Sequence, residues 1–355
     1  MKNKNDKILI ITFFFILFAF FVVIAVSDGG NRSERENRYL ERRPSVSVET
    51  LLDGSYFRSL SAFCADNVPL RGTLVNIKAL CEYGTMKLEN NKIIIGRSRT
   101  LIERAELDLE RLAEARGNVE SLKHYLNTRG ITLYSFVLPL SEDGKSDMQP
   151  IPYGRRDYSI ISEYLIETDA DMYYKSDHHL NYSGSLYVYR EIAIALGIPI
   201  REFPSTVLSE SFLGRSYYSS GLPAFSSEMI VSRENDFRVT TQADGNSSFC
   251  GFIDYSKLES TDKYSAFFGG NHAQCYAYSD PEKETVIVIK DSYALSVLTF
   301  LLDDYNILML DPRYAKRELP YYLDSFNVKK VIILCSADTF SSNQLRRYIT
   351  PKIIS

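Results

Sequence analysis

A chain of 355 residues with 41 Lys and Arg against 45 Asp and Glu carries a net charge of −4. The two signs are interspersed, so there is neither a basic stripe for nucleic acid nor a polyanionic tract. Five cysteines, Cys64, Cys81, Cys250, Cys275 and Cys335, lack CxxC spacing, which argues against a zinc ribbon or a redox pair. In an oxidising exterior a Cys64–Cys81 disulfide is one permitted pairing, and the odd count leaves at least one thiol.

At the amino terminus, Lys2, Lys4 and Lys7 precede an uncharged run from Ile8 to Val26, long enough to cross a bilayer. Ala25-Val26-Ser27 also suits a signal peptidase, but the apolar region of a cleaved signal is usually only about 7–15 residues. Residues 1–27 are therefore read as a cytoplasmic tip and a retained single-pass anchor. The lysines put the amino terminus inside and the main body outside the cytoplasm. Residues 28–48 are polar and punctuated by Gly and Pro, as in a juxtamembrane linker. Residues 49–90 read as two helices broken near Asn67-Val68-Pro69, the first with an apolar stripe of Leu51, Leu52, Phe57, Leu60 and Phe63. This helical segment is expected to pack on a main domain over 91–355.

Within that domain, a strand at Lys92–Ile95, a helix over about Ile102–Thr128 and a strand at Ile131–Leu138 give the strand, helix, strand signal of a parallel sheet. Pro139–Arg156 reads as a loop at the carboxyl end of the second strand, and Asp157–Glu167 as helix. A further helix over Ser183–Leu196 has Asn181 or Ser183 as its cap and Gly197 as its stop. Residues 201–264, rich in Ser, Thr, Gly and Tyr, read as an insertion of loops and hairpins, with strand-like runs at Glu228–Val231 and Phe237–Thr241. Val286–Ile289 has the unbroken apolar character of a central parallel strand. Lys290, Asp291 and Ser292 interrupt it, and from Tyr293 the apolar residues Ala294, Leu295, Val297, Leu298, Leu301 and Leu302 recur at helical spacing. Strands at Asn306–Leu310 and Lys330–Leu334 and a helix near Ser342–Tyr348 complete the chain. These elements predict an α/β fold, a mostly parallel sheet flanked by helices.

Ser292 stands where a strand hands over to a helix, the position at which such folds expose a nucleophile near the positive end of a helix. Asp291 and Ser292 equally suit helix N-caps. Of the four histidines, His124, His178, His179 and His272, two are adjacent behind Asp177. In an extended segment Asp177 and His179 would project to the same side, with His178 pointing away as an unrelated surface residue. A carboxylate that orients an imidazole, with a serine delivered from elsewhere, is the general-base arrangement that activates a hydroxyl. In Phe267–Asn271, FFGGN, paired glycines let backbone N–H groups approach a ligand. The Asn271 amide there can donate to a developing oxyanion, or the stretch can be a plain tight turn. Arg313 in DPRY either holds an anionic group or pairs with an acid.

Two other classes compete. A metal-dependent phosphoesterase would use Asp-His-His as ligands, but it needs further Asp and His at strand ends, and only His124 and His272 remain. No metal ligand and no cofactor are therefore assigned. A non-catalytic glycan-binding or assembly protein that has lost the chemistry is the main alternative; tyrosine faces can stack on sugars, although at any single position a half-buried strand tyrosine is the plainer reading.

The stretches ENRYLERRPSVS (Glu36–Ser47), DHHLN (Asp177–Asn181), FFGGN, KDSYA (Lys290–Ala294) and DPRY (Asp311–Tyr314) resemble, in order and spacing, the DHHW-type proteins. These are relatives of the alginate O-acetylation proteins with an SGNH-hydrolase-like domain, in which an Asp-x-His-Trp signature precedes the serine. Here Leu180 stands at the signature tryptophan, and the chain has no Trp. The resemblance implies an SGNH-hydrolase-like domain with Ser292 as nucleophile, His179 as base and Asp177 as its orienting carboxylate. It puts Ser292, Asn271 and Gly270 at the oxyanion and Tyr293 and Arg313 in the substrate-binding set. The implied activity is that of an O-acetyltransferase or acetylesterase on an exported polysaccharide or wall glycan of the cell envelope, with a membrane acetyl-donor protein as partner.

Overall fold

The computed structural model describes residues 2–33, 38–96, 99–105, 107–145, 159–161, 164–222, 228–244 and 247–350. The chain falls into two compact units, Met1–Lys87 with Tyr218–Pro223, and Leu88–Tyr217 with Ala224–Ser355.

The first unit opens with helix α1, Lys2–Val26. Its segment Asp6–Val26 is long and apolar enough to cross a membrane by length and composition. A short ladder of β1 (Arg32–Ser33) and β2 (Arg38–Tyr39) follows, then helices α2 (Val48–Leu52), α3 (Ser55–Asn67) and α4 (Arg71–Gly84). The break after Asn67 has a local cause. Val68, which precedes Pro69, is extended at φ −65° and ψ 133°, because the proline ring disfavours helical backbone in the residue before it. The expected apolar stripe is not buried as a whole. Phe63 is buried, whereas Leu51, Leu52 and Phe57 are exposed. Cys64 and Cys81 remain thiols, as do the other three cysteines.

The second unit begins with a small antiparallel sheet of β3 (Glu89–Asn90), β4 (Ile93–Ile95) and β5 (Leu101–Glu103). The helix expected from Ile102 therefore starts later, as α5, Leu109–Thr128. Ile102 pairs with Ile94 in the sheet instead, and Asp108 caps the helix by accepting from the N–H groups of Glu110 and Arg111. After α5 come β6 (Thr132–Leu138), α6 (Ser141–Gly144), α7 (Tyr182–Leu196), β7 (Ser205–Phe212), α8 (Arg215–Ser220), β8 (Glu228–Arg233), β9 (Thr240–Ala243) and β10 (Ser248–Cys250). The chain ends with β11 (Gln274–Tyr278), β12 (Thr285–Lys290), α9 (Leu295–Leu301), β13 (Asn306–Leu310), α10 (Leu319–Ser325), β14 (Lys330–Ser336), α11 (Ala337–Phe340) and α12 (Asn343–Ile349). Most of the loop expected at Pro139–Arg156 and part of the helix expected at Asp157–Glu167 lie outside the described residues. Of that helix the structure has a 3-10 turn at Ser159–Ile161 and a parallel bridge from Leu165 to Val137.

The main sheet has seven strands in the order β10-β9-β11-β13-β12-β14-β6, and it is mixed rather than mostly parallel. The pairs β12·β13, β12·β14 and β14·β6 are parallel. The pairs β11·β13, β11·β9 and β10·β9 are antiparallel. The antiparallel half comes largely from the stretch read as an insertion. β7 and β8 form a separate antiparallel pair, but β9 and β10 extend the main sheet through β11, a strand that the sequence did not reveal.

Both faces of β12 are covered. By the twofold alternation of a strand, Val286 and Val288 join the core shared with α7 and α9, and Ile287 and Ile289 join the opposite core with α5 and α10. This explains why the strand reads as a continuous apolar run. The chain leaves β12 through α9 on one face to reach β13, then crosses through α10 on the other face to reach β14 on β12's far side. Connections that diverge in this way open a crevice at the carboxyl end of the strand between them, the usual ligand position in such sheets. Ser292 follows that end directly.

Candidate active site

Residues Ser292–Ala294 form a 3-10 turn between β12 and α9. Buried Asp291 shapes it. Its Oδ1 accepts from the Tyr293 N–H at 2.9 Å, and its Oδ2 accepts from the N–H and hydroxyl of Ser336 at 2.9 and 2.6 Å. Asp291 thus takes the capping role and fastens the turn to the end of β14, while Ser292 remains half-buried.

The Asp177–His179 segment is a tight turn, not the extended chain expected. The Tyr174 N–H donates to the His179 carbonyl at 3.1 Å, and Leu180, fully buried, bridges back to Tyr173. Asp177 and His179 meet because the turn folds the carboxylate back. Asp177 Oδ1 accepts from the His179 N–H at 2.9 Å and lies 2.6 Å from its Nδ1. A carboxylate can only accept, so Nδ1 carries the proton and Nε2 is the basic atom of the neutral ring. Nε2 is buried and forms no hydrogen bond among the described residues. Asp177 Oδ2 accepts from the Arg215 N–H at 2.6 Å. Burial disfavours the Asp177 charge, but the His179 and His178 imidazoles and the hydrogen bonds from His179 and Arg215 outweigh it, holding the carboxyl well below the usual carboxylate range. Beneath the turn, buried Lys145 donates to the carbonyls of Leu101 and Asp177 at 3.2 and 2.8 Å. Burial draws its ammonium pKa down to about 8.

His178 does not point away to the surface. Its ring lies 4.1 Å from that of His179 and 5.5 Å from that of Tyr293, with Nδ1 3.3 Å from Glu103 Oε2. Burial, then the neighbouring imidazole, hold its pKa well below the ordinary value. Asp177, His178 and His179 bring three potential metal-ligating atoms within 4.8 Å of one another. One of those residues is already engaged, since the Asp177 carboxylate takes three N–H donors.

Two aromatic residues connect the histidine turn with the serine turn. Tyr293, buried, lies 5.4 Å ring to ring from His179. Tyr264 stacks on His179 at 3.8 Å with an interplanar angle of 7°, and its hydroxyl donates to the Ser292 carbonyl at 3.2 Å. Tyr264 was not among the residues singled out from sequence. Nor was Gly214, and no local pattern marks either. An added Cβ at Gly214 would stand 2.2 Å from Asp177 Cβ and 2.3 Å from Oδ2. Gly214→Ala is accordingly expected to destabilise the protein by about 1–3 kcal/mol through overpacking, read by urea unfolding of the detergent-solubilised chain. An unchanged midpoint would show that the turn moves aside freely.

The FFGGN stretch is a tight turn with Phe268, Gly269 and Gly270 at φ 55°, 73° and 97°, values that favour glycine. The Gly270 N–H donates to the Phe267 carbonyl at 3.0 Å, so the turn itself occupies the donor expected at an oxyanion. Asn271 is exposed, and its Oδ1 accepts from buried Lys290 Nζ at 3.0 Å. An ammonium only donates, so this bond directs the amide NH2 of Asn271 away from Lys290. Lys290 Nζ is also 3.4 Å from Asp311 Oδ2. Arg313 pairs with an acid: it donates through Nε and Nη2 to the same Asp311 at 2.9 and 2.7 Å. His124 lies exposed on α5.

Fold and site together define a mixed-sheet α/β protein with a serine turn at the carboxyl edge of its central strand and an Asp–His pair on a turn before a helix. This fold is shared with a DHHW family protein from Eubacterium siraeum, with a TM-score of 0.59 and 15% identity over 75% of this chain and 97% of that one. It is shared also with Bacillus cereus PatB1 carrying a sulfonyl adduct, at a TM-score of 0.57 and 14% identity over 72% of this chain and 99% of that one. PatB1 without the adduct gives 0.53 and 14%, covering 72% and 97%. The DHHW resemblance read from the motifs is thus met in the fold. No protein-family profile and no curated protein sequence matches the chain.

Proposed function

We propose that this chain is a membrane-tethered, extracytoplasmic acyl-transfer enzyme, an O-acetyltransferase or acetylesterase acting on an exported polysaccharide or wall glycan. The observation that carries the reading is the 2.6 Å Asp177–His179 bond, with Tyr264 joining that imidazole to the serine turn. In the proposed reaction His179 Nε2 takes the proton of Ser292 as Oγ attacks the ester carbonyl carbon. The Ser292 N–H and the Asn271 amide stabilise the oxyanion. The ester C–O bond breaks, and His179 returns the proton to the leaving alkoxide. Water or a sugar hydroxyl then gives its proton to His179 as its oxygen attacks the acyl carbon, the bond to Ser292 Oγ breaks, and His179 returns that proton to Oγ. The α1 helix tethers the domain to the membrane, and a membrane protein supplies the acetyl donor.

In this chemistry Ser292 Oγ, activated by His179, is the nucleophile that would take a sulfonyl label, and the fold neighbour Bacillus cereus PatB1 is described with a sulfonyl adduct. The test is to treat the detergent-solubilised full chain with phenylmethylsulfonyl fluoride and locate the label by peptide mass spectrometry. Label on Ser292 supports the reading, and a folded chain that stays unlabelled counts against it. The second reading, a non-catalytic glycan-binding protein, draws on the absence of a hydrogen bond from the Ser292 hydroxyl to His179 Nε2. Sugar binding without ester turnover would favour it.

A further inference from the structure

Tyr264 is buried, and its hydroxyl makes two polar contacts. Its Oη lies 3.2 Å from the Ser292 carbonyl and 2.9 Å from Ser296 Oγ, and Ser296 Oγ lies 2.7 Å from Ser185 Oγ. A carbonyl can only accept, so the Tyr264 proton points at Ser292, and the remaining directions follow. Ser296 donates to Tyr264, and Ser185 donates to Ser296. Three buried hydroxyls thus form a one-way chain that begins on α7, the helix following the histidine turn, passes through α9, and ends on the carbonyl of Ser292. Chains of this polarity strengthen each member. Burial also raises the Tyr264 pKa well above its ordinary value, which keeps the donor protonated. The same side chain lays its ring flat on His179.

We propose that Tyr264 is a positioning residue of the acyl-transfer site. Its ring holds the plane of the His179 imidazole, and its hydroxyl fixes the peptide that follows Ser292. This rests on the roles proposed above for Ser292, His179 and Asp177. One residue then sets the orientation of both base and nucleophile turn, and its two halves are separable by mutation. Tyr264→Phe keeps the ring and removes the hydroxyl. Tyr264→Leu removes the ring as well.

The experiment compares p-nitrophenyl acetate turnover by the full chain in detergent for wild type, Tyr264→Phe, Tyr264→Leu and Ser292→Ala, with circular dichroism checking that each folds. Loss of one well-placed hydrogen bond predicts a fall of about tenfold in kcat for Tyr264→Phe, with KM changed less than about twofold. Tyr264→Leu should fall by at least a further tenfold or so, because the imidazole plane is then unconstrained. A merely structural role would leave kcat per folded molecule unchanged. Beside an inactive Ser292→Ala, wild-type kinetics in Tyr264→Phe would overturn the role of the hydroxyl, and wild-type kinetics in Tyr264→Leu as well would overturn the positioning role altogether. Equal turnover by wild type and Ser292→Ala would overturn the catalytic reading, and the positioning role with it.

Discussion

Ser292→Ala and His179→Ala are each expected to lower turnover of p-nitrophenyl acetate by about three orders of magnitude or more, and the double variant to be scarcely worse than either single one. The non-additivity is the stronger part of the test. A nucleophile and its base act as a unit, so removing either removes the same step, whereas two independent surface contributions would multiply. Neither variant should unfold the protein. Ser292 is half-buried in the 3-10 turn that Asp291 and Ser336 fasten, and the turn's backbone bonds survive loss of the Oγ. Wild-type rates in both variants would show that these residues do not carry the reaction and would shift the balance to glycan binding.

Asp177→Asn should lower turnover by a comparable factor, about 10³–10⁴, through the wrong imidazole tautomer. In this protein the substitution is more damaging than an isosteric change suggests. Both carboxylate oxygens of Asp177 accept backbone N–H bonds, Oδ1 from His179 and Oδ2 from Arg215. An amide therefore turns its NH2 against an N–H donor whichever way it is placed. Stability should fall as well, and its pH dependence has a definite sign. The Asp177 pKa is depressed in the folded state, so its contribution is fully present above the unfolded value of about 3.9 and is lost as pH falls below it. The stability gap between wild type and Asp177→Asn, measured by urea unfolding, should accordingly shrink as pH falls from 5 to 3, below the range in which the neighbouring imidazoles titrate. A gap that widens on acidification would contradict the assignment of a depressed pKa.

The site was partly legible for local reasons. The strand and turn around Ser292 could be read because a strand buried on both faces must be apolar throughout, and Val286–Ile289 is. Asp177 and His179 were paired correctly by proximity, although by the wrong geometry: the turn closes through Asp177 accepting from the His179 N–H, a choice between turn and strand that two residues do not reveal. His178 was misread for the same reason, since only the packing of Tyr293 and His179 around it makes it an interior group. The helix expected from Ile102 failed because the apolar residues Leu101 and Ile102 fit a helical period as well as they fit a strand. Their pairing partners Ile93–Ile95 decided the matter.

Chain order and hydrophobic period were sufficient for the N-terminal apolar helix, the α/β class, the strand before Ser292 and the capped helix after His179, because each depends on neighbours within a turn or two of backbone. The mixed character of the sheet, the closure of the Asp177 carboxylate by Arg215 across from Gly214, and the seating of Tyr264 between His179 and Ser292 depend on pairings between residues dozens of positions apart. No local pattern encodes such contacts. They follow from which surfaces must be buried together once the sheet has formed.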